Sequence, residues 1–259
     1  MHGPHEGSSL AASFDSLGLP PREALEAIAA RSVRGVQWSA TMPGVRPREL
    51  DASARRDLRA SLRRLGLVLV GIDLFIPPEH FRDATRVDRA VAAVEEAVRF
   101  AADFARVPVS LRLPREAPEA VAPLVAIAER AGVCLADHEL PLGAAGDSAM
   151  LGVGLDPVAL LAAGLDPAAA MLEQGAKVAV ARLADLGRDG VRLAPRSSGG
   201  DGRLDLRRYR VAIEVAGKRP AVVIDPRQWR DPLDGIVETV AAWQAASVPE
   251  DAPSGRIPR

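Results

Sequence analysis

Cysteine and histidine are scarce in this sequence, and their scarcity excludes several kinds of site. The single cysteine, Cys134, cannot form an internal disulfide or a thiolate-rich metal cluster. Two of the four histidines lie within the first five residues, which leaves His80 and His138 in the body of the chain. A poly-histidine zinc site and a two-histidine HExxH helix are therefore excluded.

Long apolar runs and an excess of charge of either sign are also missing. No run approaches the roughly 20 apolar residues of a membrane helix, and residues 1–9 lack the apolar stretch of a signal peptide. The 33 basic and 34 acidic side chains give a net charge of −1, so no overall field attracts nucleic acid or an acidic membrane. We therefore expect a soluble, cytoplasmic protein without a nucleic-acid or membrane partner.

Short apolar, β-branched segments alternate along the chain with longer segments of helical period. Such alternation is typical of parallel strands joined by right-handed helical crossovers. The predicted strands are 9–14, 35–38, 67–76, 107–113, 133–136, 151–155, 178–183 and 221–224. At this length, eight such strands favour an α/β fold, the (β/α)8 TIM barrel. An open doubly wound sheet is the alternative, although its GxGxxG nucleotide-binding motif is absent.

The barrel is expected to form a single domain over residues 9–246. Its polar ends, residues 1–8 and 247–259, are predicted to be disordered tails. One helix of the repeat is difficult to place, because residues 140–150, between the fifth and sixth predicted strands, form a short segment with one proline and two glycines. We therefore predict that the helix between strands five and six is missing or shortened.

TIM barrels carry their functional side chains at the carboxyl ends of the strands, and the segments at those ends resemble a known family. Residues 152–157 read Gly-Val-Gly-Leu-Asp-Pro, residues 180–185 read Val-Ala-Arg-Leu-Ala-Asp, and residues 222–225 read Val-Val-Ile-Asp. The order and spacing of these segments within residues 9–245 are similar to those of the xylose-isomerase-like TIM barrels, the sugar phosphate isomerase/epimerase family.

The resemblance implies where a metal site would lie. In that family a divalent metal is held by Glu, Asp, His and Glu from four strand ends, and the two Glu residues exchange the substrate proton in epimerases. The matching positions here hold His138, Asp156, Arg182 and Asp225, so only Asp156 keeps the residue of the family. The resemblance therefore implies a divergent member with a degenerate metal site.

The same matching gives the candidates for catalysis. A shift of one residue at the fifth strand would restore a carboxylate, and Asp225 is one methylene shorter than the Glu that it matches. The catalytic candidates are therefore Asp137, His138, Glu139 and Asp225.

Arg182 is the change with the largest chemical consequence. A guanidinium stays charged and has no lone pair to give to a metal. Beside Asp156 and Asp225, it would itself act as the cation, with planar donors suited to carboxylates. We therefore expect no cofactor. The alternative is a weakly bound Mg²⁺ or Mn²⁺ ion with Asp156, Asp225 and His138 as ligands.

Four residues near the strand ends are candidates for contact with a substrate. Trp38 and Trp229 are suited to stack on a sugar ring, although packing alone explains them equally well. Arg182 and Asp185 complete the predicted substrate-binding set. The ligand that the resemblance implies is a sugar or a sugar phosphate.

Three interpretations of the function follow. The first is a divergent barrel, a pseudoenzyme, that has lost metal-dependent turnover and retains a sugar-binding pocket. The alternative is an active, atypical sugar isomerase or epimerase that uses a divalent metal. The second alternative is a non-catalytic interaction scaffold. A fold alone does not certify a function, so whether the protein is an enzyme stays open at this point.

Overall fold

The computed structural model describes residues 10–115, 117–143, 146, 148–196, 201–216 and 220–247. The strands in these residues are β1 (Leu10–Ser13), β2 (Gly35–Ser39), β3 (Val68–Asp73), β4 (Val109–Leu111), β5 (Leu135–Asp137), β6 (Leu151–Leu155), β7 (Val178–Leu183), β8 (Asp185–Leu186), β9 (Arg192–Leu193) and β10 (Ala221–Ile224). All except β8 and β9 pair in parallel and form a closed barrel in the order β1-β10-β7-β6-β5-β4-β3-β2. The predicted TIM barrel is confirmed, and the open doubly wound sheet is wrong.

Helices cover the outside of the barrel. They are α1 (Pro21–Ala29), α2 (Ala52–Leu65), α3 (Val87–Phe104), α4 (Pro118–Ala131), α5 (Pro157–Ala162), α6 (Pro167–Gln174), α7 (Leu206–Val215) and α8 (Pro232–Ala245). Proline is the first residue of five of them, α1, α4, α5, α6 and α8, where its missing N–H leaves no hydrogen bond unmade. Left-handed Gly66 and Gly132 end α2 and α4.

The link between β5 and β6 differs from the other crossovers. The described residues within this link, 138–143, 146 and 148–150, contain no helix. The next crossover, between β6 and β7, has two short helices, α5 and α6. The predicted tails lie outside the described residues apart from position 247. In the part of the chain that the structure describes, no helix is long and apolar enough to cross a lipid bilayer.

The two faces of each strand point to different surroundings, because successive side chains alternate. On the inner face, Ala11, Ala136, Val180 and Val223 pack together as a small apolar cluster from four strands. The mouth of the barrel begins above this cluster, at the carboxyl ends of the strands. Polar side chains replace apolar ones there, and they form the candidate site.

Candidate functional site at the barrel mouth

Arg182 crosses the mouth of the barrel. It lies on β7, and its Nη1 donates to Asp225 Oδ2 at 2.8 Å, just beyond the neighbouring β10. Its Nη2 donates to both carboxylate oxygens of Asp73 at 3.0 Å. Asp73 ends β3, which stands opposite β7 in the strand order. With an exposed fraction of 5%, the Arg182 side chain therefore joins opposite walls and fills the centre of the mouth.

Asp225 accepts from two further arginines. Arg192 Nη2 donates to Asp225 Oδ2 at 2.8 Å, and Arg227 Nη2 donates to the same oxygen at 2.6 Å. Burial alone would raise the pKa of Asp225, but Arg182, Arg227 and Arg192 hold that pKa well below its ordinary value. Burial would likewise lower the pKa of Arg182, and Asp73 and Asp225 instead raise it. Asp225 is therefore held in its ionised form beside the charged guanidinium of Arg182.

Asp156 is not the partner of Arg182 that the sequence predicted. Its Oδ1 accepts the Val158 N–H at 3.0 Å and so caps α5, and its Oδ2 lies 3.4 Å from Arg192 Nη1. Asp73 is the second partner of Arg182 instead, because β3 stands opposite β7 and the Arg182 side chain reaches across the barrel to it. The predicted pair between Arg182 and Asp225 is present.

His138 follows β5 and faces the same mouth. Its imidazole lies against Gly154 of β6, so closely that a Cβ atom at position 154 would be 2.2 Å from His138 Nε2. Neither ring nitrogen has a hydrogen-bond partner among the residues that the structure describes. Burial, together with Arg182 and Arg227, holds the pKa of His138 well below its ordinary value. The neutral form of the imidazole is therefore favoured, and both ring nitrogens are buried without a hydrogen-bond partner among the described residues.

The two acidic neighbours of His138 point elsewhere, as strand alternation requires. Asp137 Oδ1 accepts the backbone N–H groups of Leu113 and Glu139 at 3.0 Å, and its Oδ2 lies 2.5 Å from Arg115 Nη2. Burial nevertheless raises the pKa of Asp137. Glu139 makes a bidentate pair with Arg112, at 2.5 and 2.9 Å. Of these three catalytic candidates, His138 is the residue that the structure turns toward Arg182.

Three of the predicted substrate contacts are held by the protein itself. Asp185 Oδ1 accepts the backbone N–H groups of Leu186, Arg203 and Leu204 at 2.7 to 2.9 Å, and so anchors the chain after β7. Trp38 is fully buried, and Trp229 is buried against α8. Trp38 packs outward against α3, and Trp229 is buried as well, so neither tryptophan presents an exposed ring face to a sugar. Of the predicted set, Arg182 is the residue whose side chain lies in the mouth.

Asp15 completes the mouth on the side of β1. Its Oδ1 accepts a hydrogen bond from the Ser13 hydroxyl, and the residue is partly buried. Burial raises the pKa of Asp15, and the negative charges of Asp73 and Asp225 raise it further. Asp15 follows the first predicted strand directly, yet it was not among the predicted site residues.

Three other side chains near the mouth were also not among the predicted site residues. Arg227 stands two residues after Asp225, and this spacing was a usable signal. No such signal pointed to Arg192, because this residue reaches the mouth only through the antiparallel hairpin of β8 and β9. Phe75, two residues beyond β3, has an exposed fraction of 57% and lies at the same end of the barrel. The predicted aromatic contacts were both tryptophans, so this exposed ring was not among them.

The residues of the mouth do not fit a divalent metal. The predicted ligands were Asp156, Asp225 and His138, but Asp225 Oδ2 already accepts from three guanidinium groups. Asp156 is committed to a helix cap and to Arg192. Among the described residues, no group of three or more His, Cys, Asp or Glu side chains is placed to hold a metal ion. Three guanidinium charges also oppose the entry of a cation.

Comparisons with known proteins agree on the fold. No protein-family model matches this chain, and no curated protein matches its sequence. An L-ribulose 3-epimerase of known structure matches with a TM-score of 0.69 at 15% identity, over 92% of this chain and 95% of that one. A sugar phosphate isomerase/epimerase from Parabacteroides distasonis matches with a TM-score of 0.68 at 15% identity, over 95% and 96% of the two chains.

A third solved structure is a xylose isomerase-like TIM barrel protein from Mycobacterium smegmatis in complex with magnesium. It matches with a TM-score of 0.68 at 13% identity, over 95% of this chain and 99% of that one. Because these sequence identities are low, the matches support the fold alone. From the closed barrel and these three matches, we conclude that the chain folds as a (β/α)8 TIM barrel, similar in fold to the xylose isomerase-like barrel proteins.

Proposed function

We propose that this chain is a sugar-binding, isomerase/epimerase-like barrel that does not use a divalent metal for turnover. The observation that carries the proposal is the position of Arg182. Its guanidinium joins Asp225 to Asp73 across the barrel, at the centre of the mouth. A fixed organic cation in this place supplies positive charge without exchangeable coordination sites.

A sugar is supported by the chemistry of the rim as well as by the fold. Arg227, whose side chain is 33% exposed, and Arg112, at 48%, present donors for hydroxyl or phosphate oxygens. Phe75 adds an exposed apolar ring, which suits the C–H face of a sugar. The structural neighbours include an L-ribulose 3-epimerase and a sugar phosphate isomerase/epimerase, so ketoses and their phosphates are the first ligands to try.

The test combines metal analysis with ligand binding. Protein purified without chelator is expected to contain far less than one equivalent of any divalent metal. At least one member of a panel of ketopentoses, ketohexoses and their phosphates, L-ribulose included, is expected to raise the melting temperature, because a ligand that binds only the native state stabilises it. EDTA is expected to leave that shift unchanged.

A matched pair of variants locates the binding. Arg227→Gln removes a donor at the rim and is expected to weaken binding about tenfold, the equivalent of one hydrogen bond to a charged group. Arg99→Gln is the control, because Arg99 is a highly exposed residue of α3 that pairs with Glu95 on the same helix. Stoichiometric metal would favour an active metal enzyme instead. Absence of both metal and sugar binding would favour a non-catalytic scaffold.

A further inference from the structure

The segment that follows β7 folds back over the mouth of the barrel. β8 and β9 pair antiparallel, and this hairpin returns Arg192 to the mouth. Arg192 Nη2 donates to Asp225 Oδ2 at 2.8 Å, and Arg192 Nη1 lies 3.4 Å from Asp156 Oδ2. These two carboxylates follow β10 and β6, which are the neighbours of β7 in the closed barrel. The hairpin is therefore fastened across the end of the strand that carries Arg182.

The polar groups at the centre of the mouth are closed off from solvent. Asp73, His138, Arg182 and Asp225 each have an exposed fraction of 9% or less. Both ring nitrogens of His138 and the Nε of Arg182 are buried without a hydrogen-bond partner within the described part of the chain. A ligand cannot reach these atoms in this conformation, so its approach requires part of the rim to move.

The tip of the hairpin, residues 188–193, is held to the barrel by few contacts. Residues 188–191 are exposed, and Arg192 and Leu193 are half-buried. Among the described residues, the ion pairs of Arg192 are the polar contacts of the tip with the mouth. The base is fixed, because Asp185 Oδ1 accepts the backbone N–H groups at positions 186, 203 and 204. A weakly buried segment above a fixed base is suited to open locally.

Release of Arg192 would leave both of its carboxylates with other partners. Asp225 would keep Arg182 at 2.8 Å and Arg227 at 2.6 Å. Asp156 would keep the Val158 N–H that it caps, with Arg227 Nη2 at 3.9 Å. The guanidinium of Arg192 would itself pass into water. Because no buried carboxylate loses its last partner, the large penalty of breaking a buried ion pair does not apply.

We propose that the hairpin of β8 and β9 is a lid over the mouth, and that Arg192 is the latch that holds it closed. In the closed state, Arg192 joins the ends of β6 and β10. In the open state, the tip swings away from its base at Asp185, and the mouth becomes accessible from solvent. The lid does not depend on the identity of the ligand. Its use as the entrance for a sugar rests on the proposed function.

The lid is tested through His138, whose imidazole lies against Gly154, two residues before the Asp156 that binds Arg192. Diethyl pyrocarbonate modifies neutral imidazole, and peptide mass mapping of the full chain, without any sugar, gives a separate rate for each histidine. In the wild type, His138 should react much more slowly than the half-buried His80. Arg192→Ala should raise the rate at His138 about tenfold, the equivalent of one hydrogen bond between charged groups, and leave that at His80 unchanged.

Two further variants and a second measurement serve as controls. Arg188→Ala should react like the wild type, because Arg188 is an exposed residue of the same hairpin. Arg192→Lys keeps the charge but loses the planar fork that reaches two carboxylates, so its rate should be intermediate. Deuterium exchange of the backbone amides of β5 and β7 should be the same in Arg192→Ala and the wild type, since a general loss of stability would accelerate it.

Equal rates at His138 in the wild type and Arg192→Ala would overturn the lid. A faster reaction accompanied by faster deuterium exchange in β5 and β7 would also overturn it, because that result reports unfolding of the barrel. So would a wild type in which His138 reacts as fast as His80, since the mouth would then already be open. None of these measurements involves a sugar, so the proposed function fails separately, if no member of the sugar panel raises the melting temperature of the wild type.

Discussion

The outer and inner faces of the barrel wall hold their large side chains by different forces. On the outer face, Trp38 packs against Phe14, Phe100 and Phe104, with ring centroids 5.6 to 6.4 Å apart. On the inner face, Arg182 is held by carboxylates from two strands. Apolar packing depends on volume and area, whereas a buried charge depends on particular partners. The two faces should therefore respond to mutation in different ways.

The largest effect is expected on the outer face. Trp38→Ala removes a fully buried ring and leaves a cavity among three phenylalanines. The free energy of unfolding should fall by about 3–5 kcal/mol, the usual cost of such a truncation. Urea unfolding measures the loss, and Trp38→Phe should recover more than half of it. Sugar binding by the folded fraction should persist, and its loss would show that Trp38 contacts the ligand after all.

On the inner face, Arg182→Leu should cost about 3 kcal/mol, because it leaves a buried carboxylate without its cation. Asp225 keeps Arg192 and Arg227, so the orphaned group is Asp73, whose only ion pair is with Arg182 among the described residues. Adding Asp73→Leu should therefore recover much of the stability. Adding Asp225→Leu instead should not, since two more arginines would lose their partner.

The two double variants are compared by urea unfolding, with and without Mn²⁺. Equal stabilities of Arg182→Leu with Asp73→Leu and Arg182→Leu with Asp225→Leu would contradict the assignment of partners. Strong stabilisation of Arg182→Ala by Mn²⁺ would show that a metal can replace the guanidinium. Because Arg192 and Arg227 remain bound to Asp225, we expect no such stabilisation.

A smaller effect is expected where the inner face is most crowded. Gly154→Ala places a Cβ atom 2.2 Å from the His138 imidazole, so the ring must move. Overpacking of this kind costs about 1–3 kcal/mol. The double variant with His138→Ala should be more stable than Gly154→Ala alone, because the new methyl group then has space. If Gly154→Ala were as stable as the wild type, the His138 imidazole could not lie against position 154 as described.

The smallest effect concerns pH. The pKa of Asp15 is raised by burial and by the charges of Asp73 and Asp225, so the folded state binds this proton more tightly than the unfolded state. Asp15 therefore adds stability as the pH falls through its folded pKa toward its unfolded value of about 4. Thermal melts from pH 7 to pH 4 should show this gain in the wild type relative to Asp15→Asn. If the melting temperatures of the wild type and Asp15→Asn changed with pH in parallel, the raised pKa of Asp15 would be contradicted.

The sequence was sufficient to predict the barrel because hydrophobic periodicity acts locally. The strand around Val180 and the helix around Val94 are each specified by their own apolar spacing. The described part of the link between β5 and β6 contains no helix, and the proline and glycines of this link were a signal for that. Which side chains of β2 face the inside of the barrel was not predictable from the sequence. A shift of the strand register by one residue would turn Trp38 to the inner face and Gln37 to the outer face.

The partners in the mouth were predictable only where they lie on adjacent strands. Arg182 and Asp225 are such a pair, since β7 and β10 are neighbours. Asp73 required knowledge of which strand stands opposite β7, and Arg192 required the course of a hairpin. A strand-end residue such as Asp156 can also turn to cap the following helix, and this choice depends on side-chain geometry that the sequence does not express.

The convergence of three guanidinium groups on one oxygen of Asp225 has a consequence for molecular evolution. Any mutational path between this mouth and a metal-binding mouth must change Arg182, Arg192 and Arg227, since each would compete with a cation for the same lone pairs. A change at Arg182 alone would leave the buried Asp73 carboxylate without its cation, so a stepwise path from this mouth toward a metal-binding one passes through forms less stable than the present chain.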